Sequence, residues 1–213
     1  MKVLYEDNHL LVVEKPVNIP MQEDSSKDED LLSMAKAYIK KKYEKPGEVY
    51  LGLVHRLDRP VGGVCVFART SKAASRLSSQ IRDHRFRKQY LAVVEGSGIQ
   101  DKGHFEDFLL KDPKTNTVRV DPKGKKAVLD YQVLKRKDDL ALVRVDLLTG
   151  RSHQIRVQFS SRSHPLWGDQ RYNPQAVKGQ QIALWSYAIE LEHPVSKEEM
   201  RFESEPSGYP FSI

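Results

Sequence analysis

GHFEDFLLKDPKTNTVRVDPKGKKAVLDYQVLKRKDDLALVRVDLL, residues 103–148, is the stretch from which the fold class is read. Four runs in it, 105–110, 117–120, 127–134 and 140–148, are rich in β-branched, aromatic and leucine side chains. Asp112-Pro113 and Asp121-Pro122-Lys123-Gly124 separate them with residues that favour tight turns. Strand-like runs joined by short turns predict an antiparallel meander.

Toward the N-terminus, Lys88 to Glu95 reads as a further strand, and 62–68 is a nearly continuous apolar run suited to a strand buried on both faces. Between these two runs, Thr70 or Ser71 can cap a helix over 71–83, with Ala73, Ala74, Leu77 and Ile81 on one face. Residues 49–54 read as extended, and a helix is expected over 29–43, closed by Pro46-Gly47. A polar stretch at 21–30 predicts a mobile loop, preceded by two short strands that turn at Asp7-Asn8 and end at Lys15-Pro16. Toward the C-terminus, a helix from Thr149-Gly150 to about Ser161 and two strands, 182–191 and 200–202, complete the pattern. Strands outnumber helices and few strand–helix–strand units occur. The predicted class is α+β, a mixed and mainly antiparallel central sheet with flanking helices.

With 39% hydrophobic residues in a chain of 213, a sizeable core can form. No apolar run approaches the roughly 20 residues of a membrane span, and the start, Met1-Lys2-Val3-Leu4-Tyr5-Glu6-Asp7, lacks a secretory apolar stretch. The single cysteine, Cys65, cannot form an internal disulfide and is expected as a buried structural thiol. A soluble protein of the cytoplasm is the expectation. The net charge of +6, from 35 basic and 29 acidic side chains, suits a polyanionic partner without requiring one.

Three segments concentrate chemistry. In His55-Arg56-Leu57-Asp58-Arg59-Pro60-Val61-Gly62-Gly63 a carboxylate is flanked by arginines, which favour its ionised form. Pro60 keeps Arg59 extended, and the glycines allow close approach of backbone or ligand. The bland reading is a turn with surface ion pairs. In Leu147-Leu148-Thr149-Gly150-Arg151-Ser152-His153-Gln154-Ile155-Arg156 a predicted helix start offers backbone N–H groups to an anion. Ile155 and Phe159 would face the core there, leaving Arg156 at its margin in need of an acidic or phosphate partner; a helix cap with solvated arginines is the alternative. In Arg82-Asp83-His84-Arg85-Phe86-Arg87-Lys88-Gln89-Tyr90, basic residues interleave with aromatics, as RNA backbones and unpaired bases require. A basic helix end would look the same.

Taken together, these blocks resemble the RluA family of pseudouridine synthases. The carrying residues are His55-Arg56-Leu57-Asp58-Arg59, then Lys88-Gln89-Tyr90-Leu91-Ala92-Val93-Val94-Glu95-Gly96, then Leu148-Thr149-Gly150-Arg151-Ser152-His153-Gln154-Ile155-Arg156-Val157. Glu14-Lys15-Pro16 and Pro165-Leu166-Trp167-Gly168-Asp169-Gln170-Arg171-Tyr172 match more weakly. The chain departs from the pattern at Val61-Gly62 and at Leu184-Trp185. The resemblance implies one catalytic domain over 1–213, without a separate N-terminal RNA-binding module. It also implies isomerisation of a flipped-out uridine in ribosomal or transfer RNA. By the same resemblance Asp58 is the catalytic carboxylate, Arg156 its paired arginine, and Tyr90 the ring stacked on uracil with a part in proton transfer. Arg56 would fill the vacated space in the RNA, and Arg151 and Lys15 would contact phosphate. Arg85, Arg87 and the run Lys40-Lys41-Lys42 are candidates for the wider RNA track.

The reaction needs neither redox change nor energy input, so no cofactor is expected. The seven histidines form no His-Glu-x-x-His or Cys-His pattern, so no metal is expected either. A monomer is the simplest oligomeric state. Two other classes keep the same residues in play. One is an RNA-binding protein that kept the scaffold without catalysis, and the other is an enzyme of free uridine monophosphate.

Overall fold

The computed structural model describes residues 1–96 and 98–213. In chain order the elements are β1 (Lys2–Glu6), β2 (Leu10–Lys15), α1 (Leu31–Lys42), β3 (Gly52–Leu53), β4 (Gly62–Ala68), α2 (Ser71–Arg82) and β5 (Arg87–Glu95). They continue with β6 (Lys102–Asp112), β7 (Thr117–Val120), β8 (Lys125–Lys137), β9 (Leu140–Leu147), α3 (Gln154–Ser160), β10 (Leu184–Glu192) and β11 (Glu199–Glu203). The class is α+β, as the strand and turn pattern predicts. Two compact units divide the chain: Met1–Arg87 with Ser186–Glu205, and Lys88–Trp185 with Pro206–Ile213.

In the first unit the strands run β1-β2-β4-β10, with β11 on β10 and β3 on β4. Every residue of β4 is buried, which explains its unbroken apolar run. Leu10, Val12, Val64, Val66, Ala73, Leu77, Ile189 and Leu191 pack into one core beneath α2. Thr70 caps α2 by accepting from the Ala73 N–H, and Asp30 caps α1 by accepting from the Ser33 N–H. Buried Gln80 sits in α2 where periodicity gives no reason for a polar residue; its amide bridges the Glu192 N–H and C=O, completing the backbone pairing at the end of β10. Gly63 has φ +110°, and a Cβ there would lie 2.2 Å from the Ser186 carbonyl oxygen. The glycine is thus required where β4 and β10 cross closely.

The second unit is the meander, in the order β5-β9-β8-β6-β7, antiparallel at every step. Tyr90 faces Val145 across β5–β9, and Val145 faces Tyr131 across β9–β8. Those side chains share the face that α3 covers: the Phe159 ring lies 5.3 Å from Tyr131 and 5.1 Å from Phe105.

Candidate active site

The Asp58 segment is built by a turn in which the Val61 N–H donates to the Asp58 carbonyl at 3.0 Å. What holds this turn is Lys15. It is 0% exposed and spends its ammonium on the carbonyls of Pro16, Arg59 and Val61 at 3.1, 2.9 and 2.7 Å. Burial pushes the Lys15 ammonium down to about 8, against the opposing pull of Cys65 and the Asp58 carboxylate. Lys15 therefore cannot be a phosphate contact, contrary to the sequence reading: its head is enclosed and its donors are engaged. It fastens the backbone on either side of Pro60, just after Asp58.

Arg59 turns away to the polar segment 21–30, where it contacts Asp28, the Ser26 hydroxyl at 3.0 Å and Asp24 at 3.7 Å. That segment is anchored at its far end by Leu31 N–H to the Pro20 carbonyl, 2.9 Å. Arg56 is exposed and free of partners among the described residues. His55 accepts the Val66 N–H on Nε2 at 3.0 Å and its ring packs 5.4 Å from Phe86. Phe86 is a core residue, 4% exposed among Leu10, Leu77 and Ile189, so it is no platform for a base. Arg85 and Arg87 are exposed and lie within 3.5 and 3.7 Å of Glu192 and Glu190. Of the α1 lysines, Lys42 is tied to Glu6 at 2.7 Å, while Lys40 and Lys41 are exposed. Cys65 is fully buried, its thiol pushed up to about 12 by desolvation.

In the second unit the candidate side chains Tyr90 and Arg156 are both buried. Arg156 is not at the margin of α3 but inside, 6% exposed. Its Nε and Nη2 donate to the two oxygens of fully buried Asp169, at 2.8 and 2.7 Å. Asp169 also accepts the N–H groups of Arg171 and Tyr172 on Oδ1, at 3.0 and 3.3 Å, so its own geometry is fixed by a local turn. The Arg156 guanidinium lies 5.1 Å from the Tyr172 ring centre. The Tyr172 hydroxyl accepts the Val118 N–H at 2.8 Å and reaches His153 Nδ1 at 2.7 Å. Sequence reasoning gave Asp169 and Tyr172 no role. The available signal was the acidic partner that Arg156 required, since Asp169 lies in one of the quoted blocks.

The loop before α3 differs from the expected array of open N–H groups. His153, the residue at the cap position, is left-handed (φ 51°) and makes no side-chain cap bond. The buried Gln154 side chain takes over: its Oε1 accepts the Arg151 N–H at 3.0 Å and the Thr149 hydroxyl at 2.7 Å. Its amide donates to the Val128 carbonyl and to Gln158 Oε1, each at 3.0 Å. Arg151 is exposed and donates from Nε to the Lys126 carbonyl, 2.8 Å. Tyr90 is 6% exposed on β5. Two residues before it on the same face, Lys88 is half-buried. Among the described residues no group of three or more His, Cys, Asp and Glu is placed to hold a metal ion, and no helix is long and apolar enough to cross a membrane.

Residues 9–161 match the model of the family described as RNA pseudouridylate synthase. The chain is 36% identical over 207 residues to the RNA pseudouridine synthase YjbO of Bacillus subtilis, covering 95% of this chain and 71% of that protein. It is 33% identical to YhcT of the same organism, with 93% and 66% covered. It is 30% identical to the ribosomal large subunit pseudouridine synthase D of Zymomonas mobilis, with 96% and 69% covered. The chain thus spans about two thirds of the length of these relatives. A human RNA pseudouridylate synthase domain-containing protein 4 shares the fold, with TM-score 0.82 at 22% identity, over 99% of this chain and 90% of that one.

Proposed function

The chain belongs to the RNA pseudouridylate synthase family, and from that premise we propose that it isomerises a uridine of ribosomal RNA to pseudouridine. The observation that carries the reading is the family match over residues 9–161, a span that contains Asp58, Tyr90 and Arg156 within their ordered sequence blocks. In the reaction the bond from uracil N1 to ribose C1′ breaks and a bond from C5 to C1′ forms. The proton that leaves C5 is balanced by one taken up at N1, so no cofactor enters. Asp58 supplies the carboxylate for the exchange, on a turn that Lys15 fastens from beneath. Tyr90 stacks on the uracil and takes part in proton transfer. Arg156 supplies a fixed positive charge, its orientation set by Asp169 and Tyr172. Arg56, exposed and unengaged, enters the space left by the flipped nucleotide. Arg151, Arg85 and Arg87 contact backbone phosphates. Residues 1–213 act as a single catalytic domain, and as a monomer.

The test is a map of pseudouridines in total RNA from cells with the gene, without it, and with the Asp58→Asn variant. One ribosomal uridine should lose its isomerisation in the last two. Purified Asp58→Asn protein should keep its circular dichroism spectrum and bind RNA. Unchanged maps would reject the activity; a lost site in transfer RNA would keep the activity and replace the substrate.

A further inference from the structure

Lys88 enters β5 two residues before Tyr90 and on the same face of the strand, about 7 Å away along the backbone. Its ammonium has no hydrogen-bond or ion-pair partner among the described residues. Burial alone holds it below the usual lysine range. It lies against Gly150: a Cβ at that position would be 3.0 Å from Lys88 Nζ, with no other atom within 4 Å beyond the two chain neighbours. The Gly150 N–H likewise has no partner among the described residues, whereas Thr149 N–H is bound to Val128 and Arg151 N–H to Gln154. An unpaired, half-desolvated ammonium is costly to keep. Here it stands beside a residue whose peptide N–H is unpaired and which, as glycine, places no Cβ against the ammonium, with the exposed Arg151 one residue on. Two neighbouring donors, both left unsatisfied by the described residues, fit the oxygens of an anion.

We propose that Lys88 and the Gly150 N–H form a binding subsite for a backbone phosphate of the RNA, next to the nucleotide stacked on Tyr90. This rests on the proposed activity, which supplies the nucleotide. A phosphate fits better than a protein carboxylate because the base-to-phosphate span within one nucleotide is comparable to the separation of Tyr90 and Lys88. On this reading the lysine costs the free protein stability and returns it only when RNA is bound.

The experiment uses the full chain with a labelled single-stranded oligouridylate as probe. In Lys88→Met, binding should weaken, and the slope of log K against log salt should become shallower by about 0.7, the loss of one phosphate contact. The same variant should unfold at an equal or higher temperature than wild type, because it replaces an unpaired cation with an apolar chain. A structural lysine would lower that temperature and leave the slope alone, and an unchanged slope overturns the proposal. If the variant fails to fold, wild-type protein decides. Acetylation of Lys88, followed by mass spectrometry, should be suppressed by the oligouridylate and not by inorganic phosphate at equal phosphate concentration. Lack of protection by the RNA, or equal protection by both, rejects an RNA subsite. Failure of the activity itself would be seen separately, as a wild-type protein that changes no pseudouridine in the cellular map.

Discussion

Arg156 and Asp169 form a buried ion pair in the interior of the second unit. The guanidinium and the carboxylate are both out of water, paired through two hydrogen bonds. Such a pair adds little net stability by itself, but removing Asp169 takes from the buried guanidinium its two-point carboxylate partner. Asp169→Ala is therefore expected to destabilise the protein by about 3–5 kcal/mol, read as a shift of the urea midpoint. Arg156→Leu in the same chain should recover most of that loss; if the double variant is as unstable as the sum of the singles, the cost lies elsewhere. This pair also shows where sequence reading stops at the residue scale. Arg156 advertises its need for an acid, but its partner lies 13 residues away, beyond any helical spacing. Lys15 misled for a related reason. A lysine before a proline at a strand end looks solvated, and only the return of the chain at Arg59 and Val61 encloses it. The roles proposed for Asp58 and Tyr90 rest on their neighbours in sequence, which carry the family pattern.

At the scale of elements the reading transferred well where a period decides it. The meander runs, the buried β4 and the capped α2 all fall where alternation, unbroken apolarity and a threonine cap place them. The loop before α3 did not, because its hydrogen bonds come from Gln154, a residue type with no fixed cap role. Gly63 was flagged for close approach, and the partner is backbone, the Ser186 peptide. Gly63→Ala combines a left-handed-side φ with a collision that no side-chain rotation relieves. It should cost roughly 2–5 kcal/mol, measurable by denaturant unfolding. Gly47→Ala, with nothing within 4 Å of its added Cβ and no positive φ, should change the midpoint little. Equal effects of the two substitutions would contradict the close crossing of β4 and β10.

For the molecule as a whole, the buried titratable groups shape stability against pH. Desolvation would raise Glu6 and Asp7, yet hydrogen bonds from Lys42, Tyr43 and Tyr38 to Glu6, and from the His9 and Leu10 N–H groups to Asp7, outweigh it and lower both. Their contribution is present above their unfolded values near 4.5 and 3.8 and is lost as pH falls. Lys15 acts in the opposite range. Its folded value of about 8 lies below the unfolded 10.5, so between them the unfolded chain holds more protons and stability climbs with pH. The gain is limited, since a neutral amine keeps two N–H donors for three carbonyls. Lys88, lowered by burial, adds to the same rise. From pH 9 the direction begins to reverse: burial holds the Cys65 thiol up to about 12 and, above 10.0, raises Tyr131 and Tyr172, so the unfolded chain loses these protons first and unfolding is favoured. Urea midpoints measured from pH 4 to 11 should therefore rise steeply out of acid, rise again modestly above pH 8, and fall beyond pH 10. In Lys15→Met the second rise should shrink, and in Lys15→Met combined with Lys88→Met it should disappear whatever the baseline stability. A rise of undiminished size in the double variant would mean that neither lysine is desolvated in the folded protein, and would remove the reason for treating Lys15 as the enclosed fastener of the Asp58 turn.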